Sequence, residues 1–200
     1  MNPPGIVATL QRIGLYGGSF NPVHHGHLLV ALAALEELAL DRLFLIPAAQ
    51  SPFKPGVPLA PAAERARWLR LAFAGWERCR VDSQEIERGG VSYTVDTLRD
   101  YRRRFPEATL FYLIGADHVA ALPHWQEADA LAGLAEFVVA PRPGETVPPA
   151  LPPFRVRPLR GFPLALSASE IRARVRAGRR IDTLVPPPVA EAIRHKKLYL

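Results

Sequence analysis

Hydrophobic and polar positions alternate along the chain in two periods. Continuous apolar runs at 12–17 (RIGLYG), 42–47 (RLFLIP), 108–115 (ATLFYLIG) and 135–142 (AEFVVAPR) lack the in-out alternation of a half-exposed sheet. They read as strands covered on both faces, with 79–83 (CRVDS) as a further strand. Segments 27–38, 61–75 and 94–105 carry helical spacing, and 61–75 opens on proline and closes on glycine. The run at 108–115 is the strongest strand and is expected at the centre of the sheet. Strands alternating with helices predict an α/β fold with a parallel, doubly wound sheet flanked by helices. The stretch 142–154 (RPGETVPPALPPF) reads as the main loop, and 167–200 as a small helical part, two helices split at 186–188. There is no internal repeat and no separable second unit, so residues 1–200 are expected to form a single domain.

A doubly wound sheet binds ligands beyond the carboxyl ends of its strands, where the topology reverses. The glycine loop after 12–17, IGAD at 114–117 and APRPG at 140–144 all follow strands and so belong to one rim.

Composition narrows the class of protein without naming a function. Hydrophobic content of 48% and charged content of 22% are those of a globular chain with a real core. The net charge of +6 leans toward anionic partners, but it is a modest excess, nearly all arginine, and weak support for nucleic acid. One cysteine, Cys79, excludes an internal disulfide framework. The first residues lack the basic start and long apolar centre of a signal peptide, and the apolar stretch 28–40 carries Glu36 and Glu37. The expectation is a cytoplasmic protein that does not engage a membrane.

The stretch GGSFNPVHHGH at 17–27 concentrates special residues between a strand and a helix. Gly17 and Gly18 allow a sharp turn and close approach of a ligand, Pro22 stiffens it, and Gly26 leads into the helix. A helix start offers free N–H groups and a partial positive charge to an anion. His24 and His27 share a helix face if the first turn includes both, and imidazoles there can donate to phosphate oxygens. A plain tight turn stays open as the alternative. A zinc site lacks further ligands at suitable spacing, so no protein-held metal is expected. The lysine and Ser/Thr of a P-loop are missing.

A second anion site is suggested at LSASEIRARVRAG, 166–178. Ser167 and Glu170 have capping-box spacing, which fixes a helix start. Arg172, Arg176 and Arg180 recur at four-residue spacing, and Gly178 is a candidate terminator. A capped helix with a solvated basic face is the bland alternative.

These two stretches resemble the signature motifs of the nucleotidylyltransferase superfamily: His24, Gly26 and His27 match its first phosphate motif, and Ser167, Ser169 and Arg172 its Ser-x-Ser/Thr-x-x-Arg motif. Further matches run from Gly14 to Tyr199: SPFKP (51–55), SYTVDTL (92–98), IGADHVAALPHW (114–125), APRPG (140–144) and the terminal LVPPPVAEAIRHKKLY. That breadth resembles the bacterial nicotinate-mononucleotide adenylyltransferases. The resemblance implies a Rossmann-like fold and transfer of AMP from ATP to nicotinate mononucleotide, giving deamido-NAD and pyrophosphate. It implies catalytic roles for His24, His27 and Arg172, and ATP contacts from Gly17, Gly18, Ser19, Phe20, Gly26, Asp117, Ser167 and Ser169. On the acceptor side it implies Lys54, Tyr93, Thr94, Trp125 and Arg142, with Trp125 stacking on the pyridine ring. Mg²⁺ would come bound to the ATP phosphates. Two positions depart from the family: Phe53 stands where histidine is usual, and Asn21 where aspartate is commoner.

From the residues alone, Trp125 reads equally as a core tryptophan, Asp117 as a helix cap and Lys54 as a solvated loop lysine. The same chemistry on nicotinamide mononucleotide or phosphopantetheine stays open, as does a homo-oligomer. A non-catalytic nucleotide sensor or RNA-binding protein is the rival from another class, but the basic and aromatic interleaving of RNA-stacking surfaces is missing.

Overall fold

The computed structural model describes residues 10–53, 59–140, 143–149 and 151–200. Six strands form one sheet: β1 (Arg12–Gly18), β2 (Arg42–Pro47), β3 (Cys79–Val81), β4 (Thr109–Gly115), β5 (Glu136–Ala140) and β6 (Val156–Pro158). Their order is β3-β2-β1-β4-β5-β6, and every neighbouring pair is parallel. The expected doubly wound sheet is therefore present. The chain builds outward from β1 to β3, then returns to lay β4 on the other side of β1, so the reversal falls between β1 and β4. Side chains of the central strands are buried on both faces, which is why their runs read as uninterrupted apolar sequence.

Neighbouring strand residues feed two separate cores. Leu43 and Leu45 pack with helices α1 (His25–Glu37), α2 (Ala62–Ala72), α6 (Ala168–Arg176) and α7 (Pro187–His195). Phe44 and Ile46 point into the other layer, with α4 (Thr94–Arg104), a 3-10 helix at Ala116–His124 and α5 (Ala128–Leu134). The helical tail thus lies on the same face as α1. Ile171 of α6 and Val189, Ala190 and Ile193 of α7 are all sealed in that layer.

Several local expectations are corrected. α1 begins at His25, two residues before the predicted start, because His24 is its N-cap. α6 ends at Arg176 and Gly178 adopts φ +63, so Arg180 lies past the helix and does not continue its basic row. The tail holds the two expected helices, and Pro187 and Pro188 form the first turn of the second, which needs no N–H donor from them. The strand β6, the short helix α3 (Gln84–Arg88), the 3-10 helix and α5 were not anticipated. β6 is three residues long with Pro158 at its end, tolerated because it sits at the sheet edge. No helix among the described residues is long and apolar enough to cross a membrane.

One buried charge organises the loops above the sheet. Arg65, on α2, is 1% exposed. Its Nη1 donates to the Ser19 carbonyl at 2.8 Å, its Nε to Ala60 at 3.0 Å and its Nη2 to Ala49 at 3.4 Å. A single guanidinium thereby ties the loops after β1 and β2 to the segment leading into α2. Arg65→Met would strand three carbonyls with no replacement donor. We expect it to lower unfolding free energy by about 2–4 kcal/mol in urea titration, with an unchanged midpoint contradicting this role.

Candidate functional site

The rim beyond β1 and β4 holds most of the residues singled out by sequence. Gly17 and Gly18 end β1. A Cβ on Gly17 would lie 2.5 Å from the Tyr112 hydroxyl of β4, so glycine leaves room for that hydroxyl beside the end of β1. Thr94 Oγ1, at the start of α4, donates to that hydroxyl at 3.3 Å. The loop then turns through Phe20, 2% exposed with φ +45, and through buried Asn21. Asn21 Oδ1 accepts from the Ala60 N–H at 3.0 Å and from the Tyr199 hydroxyl at 2.6 Å, so this loop is pinned by distant parts of the chain.

At the start of α1, the His24 and His27 rings lie with centroids 3.8 Å apart, tilted by 35°. The backbone N–H of His24 donates to His27 Nδ1 at 3.1 Å. An accepting Nδ1 places the proton of neutral His27 on Nε2, leaving that nitrogen a hydrogen-bond donor. Gly26 lies inside α1, and a Cβ there would be 3.0 Å from the His24 ring. The same Cβ would be 3.8 Å from the carbonyl of Leu166, the residue before Ser167. The two helix starts picked out by sequence are therefore neighbours.

Two hydrogen bonds tie the α1 start to the tail, and two more order the start of α6. Ser167 caps α6, its Oγ accepting from the Glu170 N–H at 3.1 Å. Arg172 Nη1 donates to the Asn21 carbonyl at 2.7 Å and Nη2 to Ser169 Oγ at 3.0 Å. The N–H of His25 donates to the Leu184 carbonyl at 3.1 Å, adding a second tie between α1 and the helical tail. The arrangement brings together two helix starts with their partial positive charge, a guanidinium, two imidazoles and the hydroxyl of exposed Ser169. It is suited to an extended polyanion.

Beside this lies a cleft of about 130 Å³ whose walls include Gly17, Ser19, Thr94, Tyr112, Phe53 and Trp125. Residues expected to meet ATP and residues expected to meet the acceptor thus face one space. Tyr93 is the exposed N-cap of α4 and Thr94 its first residue. Trp125 is only 9% exposed, packed edge to face against Phe137. Asp117 is exposed in the 3-10 helix beyond β4, and Gly115, not Asp117, is its N-cap. Lys54 and Arg142 lie outside the described residues. A larger cavity of about 300 Å³ sits between α6 and α7, lined by Val175, Ile181, Ile193 and Arg179 among others, and holds none of the predicted site residues.

Two contributors were not visible in the sequence. Arg65 holds Ser19 from below, as described. Glu85, on α3, is 3% exposed and lines the cleft floor. Burial pushes its carboxyl above the ordinary range, against opposing hydrogen bonds from Thr97 and Ser92. Thr97 Oγ1 donates to it at 2.6 Å, so it fixes α4 where Tyr93 and Thr94 begin. Among the described residues no three His, Cys, Asp or Glu gather as metal ligands.

The family model described as Cytidylyltransferase-like matches residues 15–174. A relative from Opitutus terrae called "Probable nicotinate-nucleotide adenylyltransferase" is 40% identical over 191 residues, covering 94% of this chain and 98% of the relative. One of the same description from Thermus thermophilus is 44% identical over 189 residues, covering 94% and 100%. Among solved structures, Plasmodium falciparum nicotinic acid mononucleotide adenylyltransferase complexed with NaAD superposes with a TM-score of 0.73 at 18% identity, over 94% of this chain and 97% of that one. That last likeness is one of fold.

The close approach at the rim is testable. Gly17→Ala should cost about 1–3 kcal/mol of stability, because the new methyl displaces the Tyr112 hydroxyl. Adding Tyr112→Phe, which removes the colliding atom, should recover part of the loss in the same denaturant titration. A double variant no more stable than the single one would contradict the geometry.

Proposed function

This chain belongs to the cytidylyltransferase-like family, and we propose that it works there as a nicotinate-nucleotide adenylyltransferase, moving AMP from ATP to nicotinate mononucleotide with release of pyrophosphate. The observation that carries the reading is the meeting of the α1 and α6 starts beside the cleft, with Arg172 of α6 hydrogen-bonded to Asn21 in the loop before α1. Close relatives that cover nearly the whole chain bear the same activity in their names.

The reaction is a direct displacement. An oxygen of the acceptor's 5′-phosphate attacks the α-phosphorus of ATP in line, the new P–O bond forms, and the bond to the bridging α–β oxygen breaks. The attacking phosphate is an anion at neutral pH, so no base has to remove a proton. Nor is a covalent nucleophile needed: Cys79 is buried in β3, and burial raises its thiol to about 11. Catalysis rests on positioning and on neutralising charge.

In this reading His27 donates from Nε2 to a phosphate oxygen, with His24 stacked against it, and Gly17 and Gly18 let the chain approach the nucleotide. Ser167 caps α6, and Ser169, Arg172 and the first N–H groups of that helix hold the outer phosphates from the opposite side. Arg172 spends two donors on Asn21 and Ser169 and keeps others for the ligand. Ser19 and Phe20 shape the loop and Asp117 accepts from ribose hydroxyls. Tyr93 and Thr94 present helix-start N–H groups to the nicotinate carboxylate, near Trp125. Lys54 and Arg142 are assigned to the acceptor phosphate on motif grounds alone. No protein-held metal is assigned, and a Mg²⁺ would be carried by the triphosphate oxygens and water, a coordination that suits this ion. Bound there, it would offset the charge that builds on the leaving pyrophosphate. Such a reaction belongs to the cytoplasm, where its substrates occur.

Pyrophosphate release, measured with ATP and each mononucleotide in turn, tests the reading. Nicotinate mononucleotide should be the preferred acceptor, and preference for nicotinamide mononucleotide or phosphopantetheine would overturn the substrate choice. His27→Ala should lower kcat by on the order of 10²-fold with the fold intact, and unchanged turnover would remove His27 from the mechanism.

A further inference from the structure

The aromatic ring that faces the acceptor half of the cleft is not Trp125. Phe53 is 47% exposed and Trp125 is 9% exposed, although both line the same cleft. Their ring centroids are 5.2 Å apart with a tilt of 37°. The remaining ring neighbours of Trp125 are His118 at 5.7 Å and Phe137 at 6.1 Å, both nearly perpendicular to it. His118 also packs against Phe53, at 5.0 Å. Among the described residues, Phe53 is the ring least tilted from Trp125.

A flat ligand ring cannot share that place. Aromatic contact needs about 3.5 Å between planes, so a ring inserted between two others needs roughly 7 Å from one to the other. Phe53 and Trp125 stand closer than that. An acceptor ring can therefore reach Trp125 only where Phe53 leaves it. Contact between the phenyl and the indole is favourable, and every acceptor that displaces the phenyl has to compensate for its loss.

We propose that Phe53 is a specificity-determining residue of the acceptor site: its ring covers the face of Trp125 and admits only acceptors whose own flat aromatic ring replaces it there. This deepens the assignment of the acceptor made above and rests on it. Phe53 lies against Trp125 at a tilt of 37°, and nicotinate restores an aromatic partner to the indole when it takes that place. An acceptor with a flexible aliphatic arm, such as phosphopantetheine, restores none and is refused on energetic grounds. The cover is expected to act on acceptor binding, because the ring neighbours of Phe53 are Trp125 and His118.

The test is a series at this position, Phe53→Ala and Phe53→Trp, in the full chain. Phe53→Ala should lower KM for nicotinate mononucleotide by about three- to tenfold, the range of one aromatic pair, with KM for ATP unchanged. Phe53→Trp, a larger cover, should raise the acceptor KM. The ratio of kcat/KM for nicotinate mononucleotide over phosphopantetheine should fall in Phe53→Ala. Independently of turnover, acrylamide quenching of Trp125 fluorescence, taken as the difference from a Trp125→Phe background, should increase in Phe53→Ala. An acceptor KM that rises or stays fixed in Phe53→Ala overturns the proposal, as does unchanged quenching. Wild-type enzyme inactive on nicotinate mononucleotide would instead sink the proposed substrate, while the quenching result would still report whether Phe53 covers Trp125.

Discussion

Arg172 reaches back 151 residues to donate to the carbonyl of Asn21, and the architecture around the cleft depends on that closure. The bond is available because α1 and α6 pack on the same face of the sheet, over one shared core. Sheet topology brings the β1 loop to the point where strand order reverses, and the tail is folded over it. Two helix starts that share a rim sum their N–H groups and partial charges toward one place. Neither would hold a triphosphate in a defined line by itself. In the proposed reading the two together fix both ends of it, and an in-line displacement requires that fixed direction.

Such a rim is expensive to hold open, because it collects backbone groups that the sheet no longer pairs. The chain answers with buried polar side chains beneath the loops. Arg65 receives three carbonyls, Asn21 joins Ala60 to Tyr199, and Glu85 binds Thr97 under the start of α4. None of these groups needs to touch a ligand. Their work is to remove alternatives for the loops, so that the site is in place before substrate arrives. Preorganisation of this kind matters most where catalysis is a matter of placing charge and not of bond-making by the protein.

The parts legible in the sequence are those fixed by local rules. The strand at 108–115 was legible because both its faces are buried, which removes every polar residue from its middle. The start of α6 was legible because Ser167 and Glu170 lie three apart and the cap is a local bond. Gly17 read as a turn open to close approach, and the Tyr112 hydroxyl stands 2.5 Å from where its Cβ would lie. What escaped depends on neighbours distant in sequence. Arg65 looks like any arginine on an amphipathic helix until the loops after β1 and β2 close over it. Glu85 sits in a polar run, QEIER, and is buried only because α4 packs above it. β6 is too short to show a period. Trp125 gave two equal readings, and it is both buried in the core and a wall of the cleft, with Phe53 as the ring that meets solvent.

The central claim, that one triphosphate is gripped by both helix starts at once, is tested most directly by nuclear magnetic resonance of the backbone amides during titration with a non-hydrolysable ATP analogue. The account predicts that the amides of Gly26 and His27 and those of Ser169 and Glu170 shift together, along one binding curve with one dissociation constant. A response confined to one helix start, or two curves that saturate at different concentrations, would contradict it.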